Sequence, residues 1–235
     1  STSHPQVKTG RLRGLALTSA RRFESAAEIP TTAESGLPDF QISLWFALFG
    51  PPGMPSGITQ KLNREINRIL DQPDMRARVS AIGGEFTPNS VEQFSTFLKT
   101  ELPRWAQIIQ ETGVKVDCQG EFMKRRVFLQ ACTASAASLG APSLMAQHLP
   151  QGPIRIVVGF PPGGGTDALA RVVAQKLQVM WNTSIVIDNK GGAAGVIAAD
   201  HVAKQASDGN TLLMAHINSH ALAPSLQPRL SYSVE

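Results

Sequence analysis

An α/β fold built on one mainly parallel sheet is the architecture this sequence predicts, and three observations carry it. The second half alternates short apolar runs with helix-period segments, a βαβαβ order. The loops leaving the apolar runs are rich in glycine and other small residues. The first half holds long amphipathic helices around one aromatic-rich run, which suits a layer laid against that sheet.

In the second half, Ile154 to Gly159 reads as a buried strand. Thr166 to Met180 is a helix with Leu169, Val172, Val173 and Leu177 on one face. Ile185 to Asp188 is a second strand, Gly195 to Ala206 a helix facing inward through Val196, Ala199 and Val202, and Thr211 to Ala215 a third strand. Parallel strands joined this way require right-handed crossovers, and ligands of such sheets bind at the loops beyond the strands' carboxyl ends.

In the first half, Arg13 to Leu17 reads as a short buried strand and Thr31 to Glu34 as one helical turn. Ile42 to Phe49 reads as a strand, ended by the stiff turn at Pro51, Pro52 and Gly53. Ser56 is placed to N-cap a helix whose apolar face is Ile58, Leu62, Ile66, Ile69 and Leu70. Pro73 interrupts it. A short helix follows with Met75, Val79 and Ile82 inward, closed by Gly83 and Gly84. Ser90 and Gln93 form a capping box for a last helix facing inward through Phe94, Phe97, Leu98, Leu102, Trp105 and Ile109, with a kink expected at Pro103. Trp45, Trp105 and Phe94 are expected in the core.

The chain has 235 residues, 42% hydrophobic and 17% charged, the balance of an ordinary globular protein. Residues 1–122 carry 13 Lys/Arg against 13 Asp/Glu, and residues 123–235 carry 9 against 5. Three of those nine are the run Lys124, Arg125 and Arg126, so no basic face for nucleic acid is left. The two cysteines, Cys118 and Cys132, exclude a disulfide framework and have no metal-ligand spacing.

From Met123 the order is a charged stretch, a weakly apolar run from Val127 to Leu144, and a small-residue end at Ala146. That is the layout of a secretory signal peptide, and Arg125-Arg126-Val127-Phe128-Leu129 also resembles a twin-arginine signal. Leu129-Gln130-Ala131-Cys132 has the look of a lipobox, but the apolar run before Cys132 is too short for one. The chain begins at Ser1 as if already mid-sequence. The expectation is that the end of one exported protein is fused to the beginning of another. The divisions are 1–122, a signal-like segment at 123–147, and 148–235.

Three loops carry the chemistry: Gly159 to Asp167, Asp188 to Gly195, and His216 to His220. The first two run into helix N-termini, where free backbone N–H groups and the helix dipole favour an anion. Small residues let a carboxylate approach the backbone. Tight turns alone would also account for the glycines. Gly163, Gly165 and Ala168 fit a G-x-G-x-x-A pattern after a strand, with Asp188 ending the next strand as a ribose-binding acid would. The alternative is therefore a fragment of a dinucleotide-binding oxidoreductase. Pro161 and Pro162 oppose it, because they put a rigid step where that fold needs a direct turn. No catalytic constellation emerges, and no cofactor is expected. Ser219 and His220 are adjacent, so their side chains are expected to point apart.

The motifs Gly159-Phe160-Pro161-Pro162-Gly163-Gly164 through Asp167, Asp188-Asn189 through Gly195, and Asp208-Gly209-Asn210-Thr211-Leu212-Leu213 resemble the start of Bug-type proteins. These are the substrate-binding components of tripartite tricarboxylate transporters. The first half resembles the end of the same family, through Leu12 to Thr18, Ile29-Pro30-Thr31, Glu34 to Pro38, Trp45 to Phe49, Leu62-Asn63, Pro73 and Trp105. Gly191 stands where the family usually has proline, and Asn210 where it has an aromatic. The resemblance implies a type II periplasmic-binding-protein-like lobe in permuted order, with the second lobe largely missing. It implies a non-enzymatic periplasmic receptor for di- or tricarboxylates or acidic amino acids, working with the transporter's membrane components. It places the ligand against Phe160, Gly164, Gly165, Thr166 and Asp167 in the first loop, Gly192 and Ala193 in the second, and Ser219 in the third. Asp167, being an acid, would orient water or cap its helix and not touch a carboxylate.

Overall fold

The computed structural model describes residues 4–81, 84–114, 152–227 and 229–234. Ile82, Gly83, both cysteines and the signal-like segment Met123–Ala146 lie outside the described residues. In chain order the elements are α1 (His4–Lys8), a 3₁₀ turn (Glu24–Ala26), β1 (Phe46–Phe49), α2 (Ser56–Leu70), α3 (Pro73–Ala81) and α4 (Val91–Thr112). Then come β2 (Ile154–Val158), α5 (Gly165–Trp181), β3 (Ile185–Asn189), a 3₁₀ turn (Ala193–Gly195), α6 (Val196–Ala203), β4 (Thr211–His216), a π-turn (Asn218–Leu222) and α7 (Ala223–Leu226).

The four strands form one sheet in the order β1-β4-β2-β3. β2 runs parallel to both β3 and β4, and β1 closes one edge antiparallel to β4. The fold is thus mixed α/β with a mainly parallel sheet, and strands from both halves of the chain build it. Side chains alternate between its faces. Ile154, Ile156, Val158, Leu212 and Met214 face α5, and Leu62 and Ile69 of α2 with Met75 of α3 join the same buried cluster as Leu177 of α5. Val157, Leu213 and Ala215 face the other way, onto Ala198, Ala199 and Val202 of α6. A third cluster sets Trp105 of α4 against Ile217 and Ala221, with Ile42 and Trp45 beside it. Each buried Val, Leu, Ile or Met among them contributes about 1.5–3 kcal/mol. Lys176–Asp74 at 2.9 Å and Arg78–Gln175 at 2.9 Å also join the halves, but as exposed pairs they add little.

Several expectations change. Arg13–Leu17 is no buried strand: Leu15 is 75% exposed. Its pairing is a single bridge from Leu17 to Thr31, closed by Leu17 N–H to the Pro30 carbonyl and Thr32 N–H to the Leu17 carbonyl. Pro30 has no N–H to extend a ladder. Residues 42–45 are not strand either. The register with β4 ends at Phe46↔His216, where β4 gives way to the π-turn, so the residues before Phe46 have no partner strand. Ser56 is the first helical residue of α2, and Pro55 holds the cap position with no side-chain cap bond. The helix expected from Gly195 to Ala206 is shorter, a 3₁₀ turn followed by α6, and Ala198 replaces the half-buried Val196 on its buried face. Phe97 is 39% exposed, its ring edge on Trp45. The capping box is present in full: Ser90 accepts from Gln93 N–H, and the Gln93 side chain accepts from Ser90 N–H. Pro103 lies within α4, which continues to Thr112. Glu101 is buried on α4 because it accepts from Trp105 Nε1 at 3.0 Å and from Arg104 at 3.0 Å.

Candidate functional site

The three loops meet at the carboxyl ends of the parallel strands, and Gly195 is where they touch. A Cβ on Gly159 of the first loop would sit 2.6 Å from the Gly195 Cα. A Cβ on Gly195 would meet Ser219 Cβ of the third loop at 3.4 Å and the Phe160 ring at 3.6 Å. Gly195 also has φ +95°, which a side chain would strain. Two backbones therefore pass at a separation that only glycine permits. Gly195 is a structural member of the site that the binding residues inferred from sequence did not include.

A clasp fixes the first loop against β3. Asp167 is 2% exposed. Its Oδ2 accepts from Gly163 N–H at 2.9 Å and from Arg171 Nε at 2.8 Å, and its Oδ1 accepts from Asn189 Nδ2 at 2.9 Å. Asn189 Nδ2 also donates to the Phe160 carbonyl at 3.1 Å. The Arg171 hydrogen bond leads the effects that hold the Asp167 carboxyl down at about 2. Both carboxylate oxygens are thus occupied by the protein, and Asp167 ties the loop in place. Asn189 and Arg171 were absent from the sequence-derived site. The Asp167/Arg171 spacing of one helical turn was the available signal, whereas the bond to Asn189 crosses 22 residues.

Gly164 caps α5 without a side-chain cap bond. The first-turn N–H groups of α5, at Gly165, Thr166 and Asp167, precede the first intrahelical bond, from Ala168 N–H to the Gly164 carbonyl. Gly164 and Gly165 are exposed, while Thr166 is buried. In the second loop Gly192, Ala193 and Ala194 are exposed, and Ala193 and Ala194 hold left-handed φ of 46° and 55°, a costly choice for residues with a Cβ. The loop cations are paired: Arg171 with Asp167, and Lys190 with Asp188 at 3.4 Å. Asp188 also lies 3.9 Å from Arg155. What the first two loops present to an anion is backbone N–H.

The third loop contradicts the expectation that Ser219 and His220 point apart. The π-turn brings Ser219 Oγ to 2.9 Å from His220 Nδ1, and Ser219 Oγ donates to the His216 carbonyl at 3.0 Å. Both residues are buried. The His220 ring lies 4.3 Å from Phe49 and 5.7 Å from Tyr232, and Tyr232 O–H donates to the Ser219 carbonyl at 2.5 Å. Burial pushes the Tyr232 hydroxyl up to about 12 and the His220 imidazole down to about 4. Ser219 is therefore turned into the structure with its hydroxyl already engaged. An open cleft of about 290 Å³ lies elsewhere, between α2 and the start of α4, lined by residues such as Asn63, Arg64 and Glu92 and by none of the three loops.

His220 sets a pH dependence of stability. Its folded pKa lies below the ordinary 6.5, so between pH 6.5 and 4 the unfolded chain takes up a proton that the folded chain refuses. Stability is full above pH 6.5 and declines as pH falls toward 4, by roughly 3 kcal/mol in all. Urea midpoints at pH 7.5 and 4.5 measure this. His220→Phe keeps the aromatic packing and is expected to remove most of the difference; an unchanged difference would assign it to other groups.

The described residues thus form a mainly parallel sheet with glycine-rich loops at its strand ends and, at α5, a helix N-terminus without a side-chain cap. The family model described as the tripartite tricarboxylate transporter family receptor matches residues 1–114 and 169–235. The chain belongs to that family. Protein BugT of Bordetella pertussis is 43% identical over 101 residues, 43% of this chain and 31% of the relative. A protein of the tcbD-tcbE intergenic region of Pseudomonas sp. (strain P51) is 40% identical over 112 residues, 47% of this chain and 33% of the relative. The matched stretches thus span about a third of these relatives' length. Among solved structures, MatC of Rhodopseudomonas palustris with bound malate is 37% identical over 37% of this chain and 29% of its own, with a TM-score of 0.35. The periplasmic binding protein BugD is 36% identical over 36% of this chain and 28% of its own, also at 0.35.

Proposed function

We propose that this chain is the carboxylate-holding lobe of an extracytoplasmic solute receptor. One observation carries the reading: Gly159, Gly195 and Ser219 bring three strand-end loops together beside the uncapped N-terminus of α5. One ligand carboxylate would lie against the backbone N–H groups of Gly165 and Thr166, with Gly164 and the Phe160 ring beside it and Gly192 and Ala193 opposite. Asp167 acts through the clasp, and Ser219 through the packing of the third loop. Family membership supports carboxylates, down to tricarboxylates, as the ligand class and the membrane subunits of a tripartite transporter as partners. It supports a periplasmic location, and the charged, apolar and small-residue order of Met123–Ala146 supports that segment as the export signal. No described helix is long and apolar enough to cross a membrane.

The divisions 1–122, 123–147 and 148–235 fit a closing portion of one receptor, a signal segment and an opening portion of a second. The support is that the family model matches residues 1–114 and 169–235 and leaves out the stretch between them. Titrating the ¹⁵N-labelled chain with citrate tests the site. The expected result is amide shifts centred on Gly164, Gly165 and Thr166. Shifts centred on the α2–α4 cleft, or none at all, would refute it.

A further inference from the structure

His216 ends β4 on the same face as Leu212 and Met214, and it is 8% exposed. Its ring stands edge-on to two phenylalanines, Phe160 of the first loop at 5.2 Å and Phe46 of the edge strand at 5.1 Å. Its Nδ1 accepts from Asn218 N–H at 3.1 Å. That bond needs the Nδ1 lone pair, so the proton of the neutral ring sits on Nε2. Burial favours the neutral form, lowering the pKa against the opposing effect of Asn218. The strand end beside Phe160 therefore carries a polar group that is uncharged, fixed in tautomer and able to donate.

We propose that His216 is a specificity-determining residue of the site, donating Nε2–H to an oxygen of the ligand and so selecting hydroxy- and carboxy-substituted acids over amino acids. The inference rests on the carboxylate reading of the three loops. A neutral Nε2–H donor matches a hydroxyl or carboxylate oxygen. Against an ammonium it sets donor facing donor, and the ammonium loses its water without finding an acceptor. Asp167 has both carboxylate oxygens taken by Gly163, Arg171 and Asn189, and Asp188 is drawn to Lys190 and Arg155.

L-Malate and L-aspartate test this, since they differ by a hydroxyl in place of an ammonium on one carbon skeleton. The full chain is titrated with each at pH 7.5, following the backbone amides and the His216 imidazole by ¹H–¹⁵N correlation. The expected results are a protonated Nε2 that shifts on malate addition, and malate bound at least about fivefold more tightly than aspartate. His216→Gln, whose side-chain carbonyl can accept from an ammonium, is expected to bring that ratio near one. Shifts at Gly164 and Gly165 without a shift at His216, or a ratio unchanged in His216→Gln, would overturn the role of His216 and leave the loop site standing. No loop shift with either acid would overturn the carboxylate reading itself. The imidazole signal of the unsubstituted chain decides the matter even if the variant fails to fold.

Discussion

Gly159→Val is expected to cost about 3 kcal/mol or more of folding stability and to lower the thermal midpoint by roughly 6–12 °C. The cause is backbone against backbone. The first Cβ at this position meets the Gly195 Cα at 2.6 Å, with the Gly195 carbonyl and Ala198 Cβ both at 3.3 Å. None of these is the movable end of a side chain, so relief requires the first and second loops to part. Gly164→Ala is the matched control. Its nearest contact would be the Pro161 carbonyl at 3.5 Å, and its φ of −76° suits any residue. It is expected to change stability by no more than about 0.5 kcal/mol. Urea unfolding of the two variants measures the contrast, and equal midpoints would mean that the loops do not pack as described.

Ile69→Ala is expected to cost about 2–5 kcal/mol, the range for emptying a buried Ile site. Ile69 is fully buried, and its cluster joins α2 to Ile154, Ile156 and Leu177 of the second half. The loss should therefore be felt in both halves. Hydrogen exchange reads this directly: protection in β2 and α5 falls together with protection in α2. If residues 152–227 keep their protection in Ile69→Ala, the halves fold separately and the shared core is wrong.

How much of this was legible in the sequence depends on the range of the interaction. The α5 and β2–β4 patterns could be read because burial on a sheet face or helix face repeats at short period, as in Leu169, Val173 and Leu177. The capping box was legible for the same reason, since Ser90 and Gln93 meet within one turn. The first half was read less well. Arg13–Leu17 has strand-like residues, but a strand needs a partner, and the segment opposite Leu17 offers Pro30. The start of β1 at Phe46 is set by where β4 stops at His216, a property of another part of the chain. In the site, the residue types of the three loops pointed to an anion, and family resemblance named the contacts. The structure places those residues differently. Asp167 and Ser219 turned inward to Asn189 and His220, while Gly164, Gly165, Gly192 and Ala193 stayed at the surface. Nothing local to Asp167 announces Asn189, and nothing in the pair Ser219-His220 announces a π-turn that lets neighbouring side chains bond.

As proposed, the carboxylate site is formed by the three strand-end loops, with Gly164, Gly165, Gly192 and Ala193 exposed to solvent. Receptors that close on a ligand exclude water, whereas open loops leave their anion contacts screened. A few N–H bonds of roughly 1.5–3 kcal/mol each then barely offset the cost of immobilising a ligand. Calorimetric titration of the full chain with citrate, glutamate and NAD tests this most directly. The expected dissociation constants are about a millimolar for citrate and weaker for glutamate, with no heat from NAD. Micromolar citrate or glutamate would contradict a solvent-exposed site of backbone N–H groups, and micromolar NAD would replace the carboxylate reading with a dinucleotide site on the Gly163–Asp167 loop.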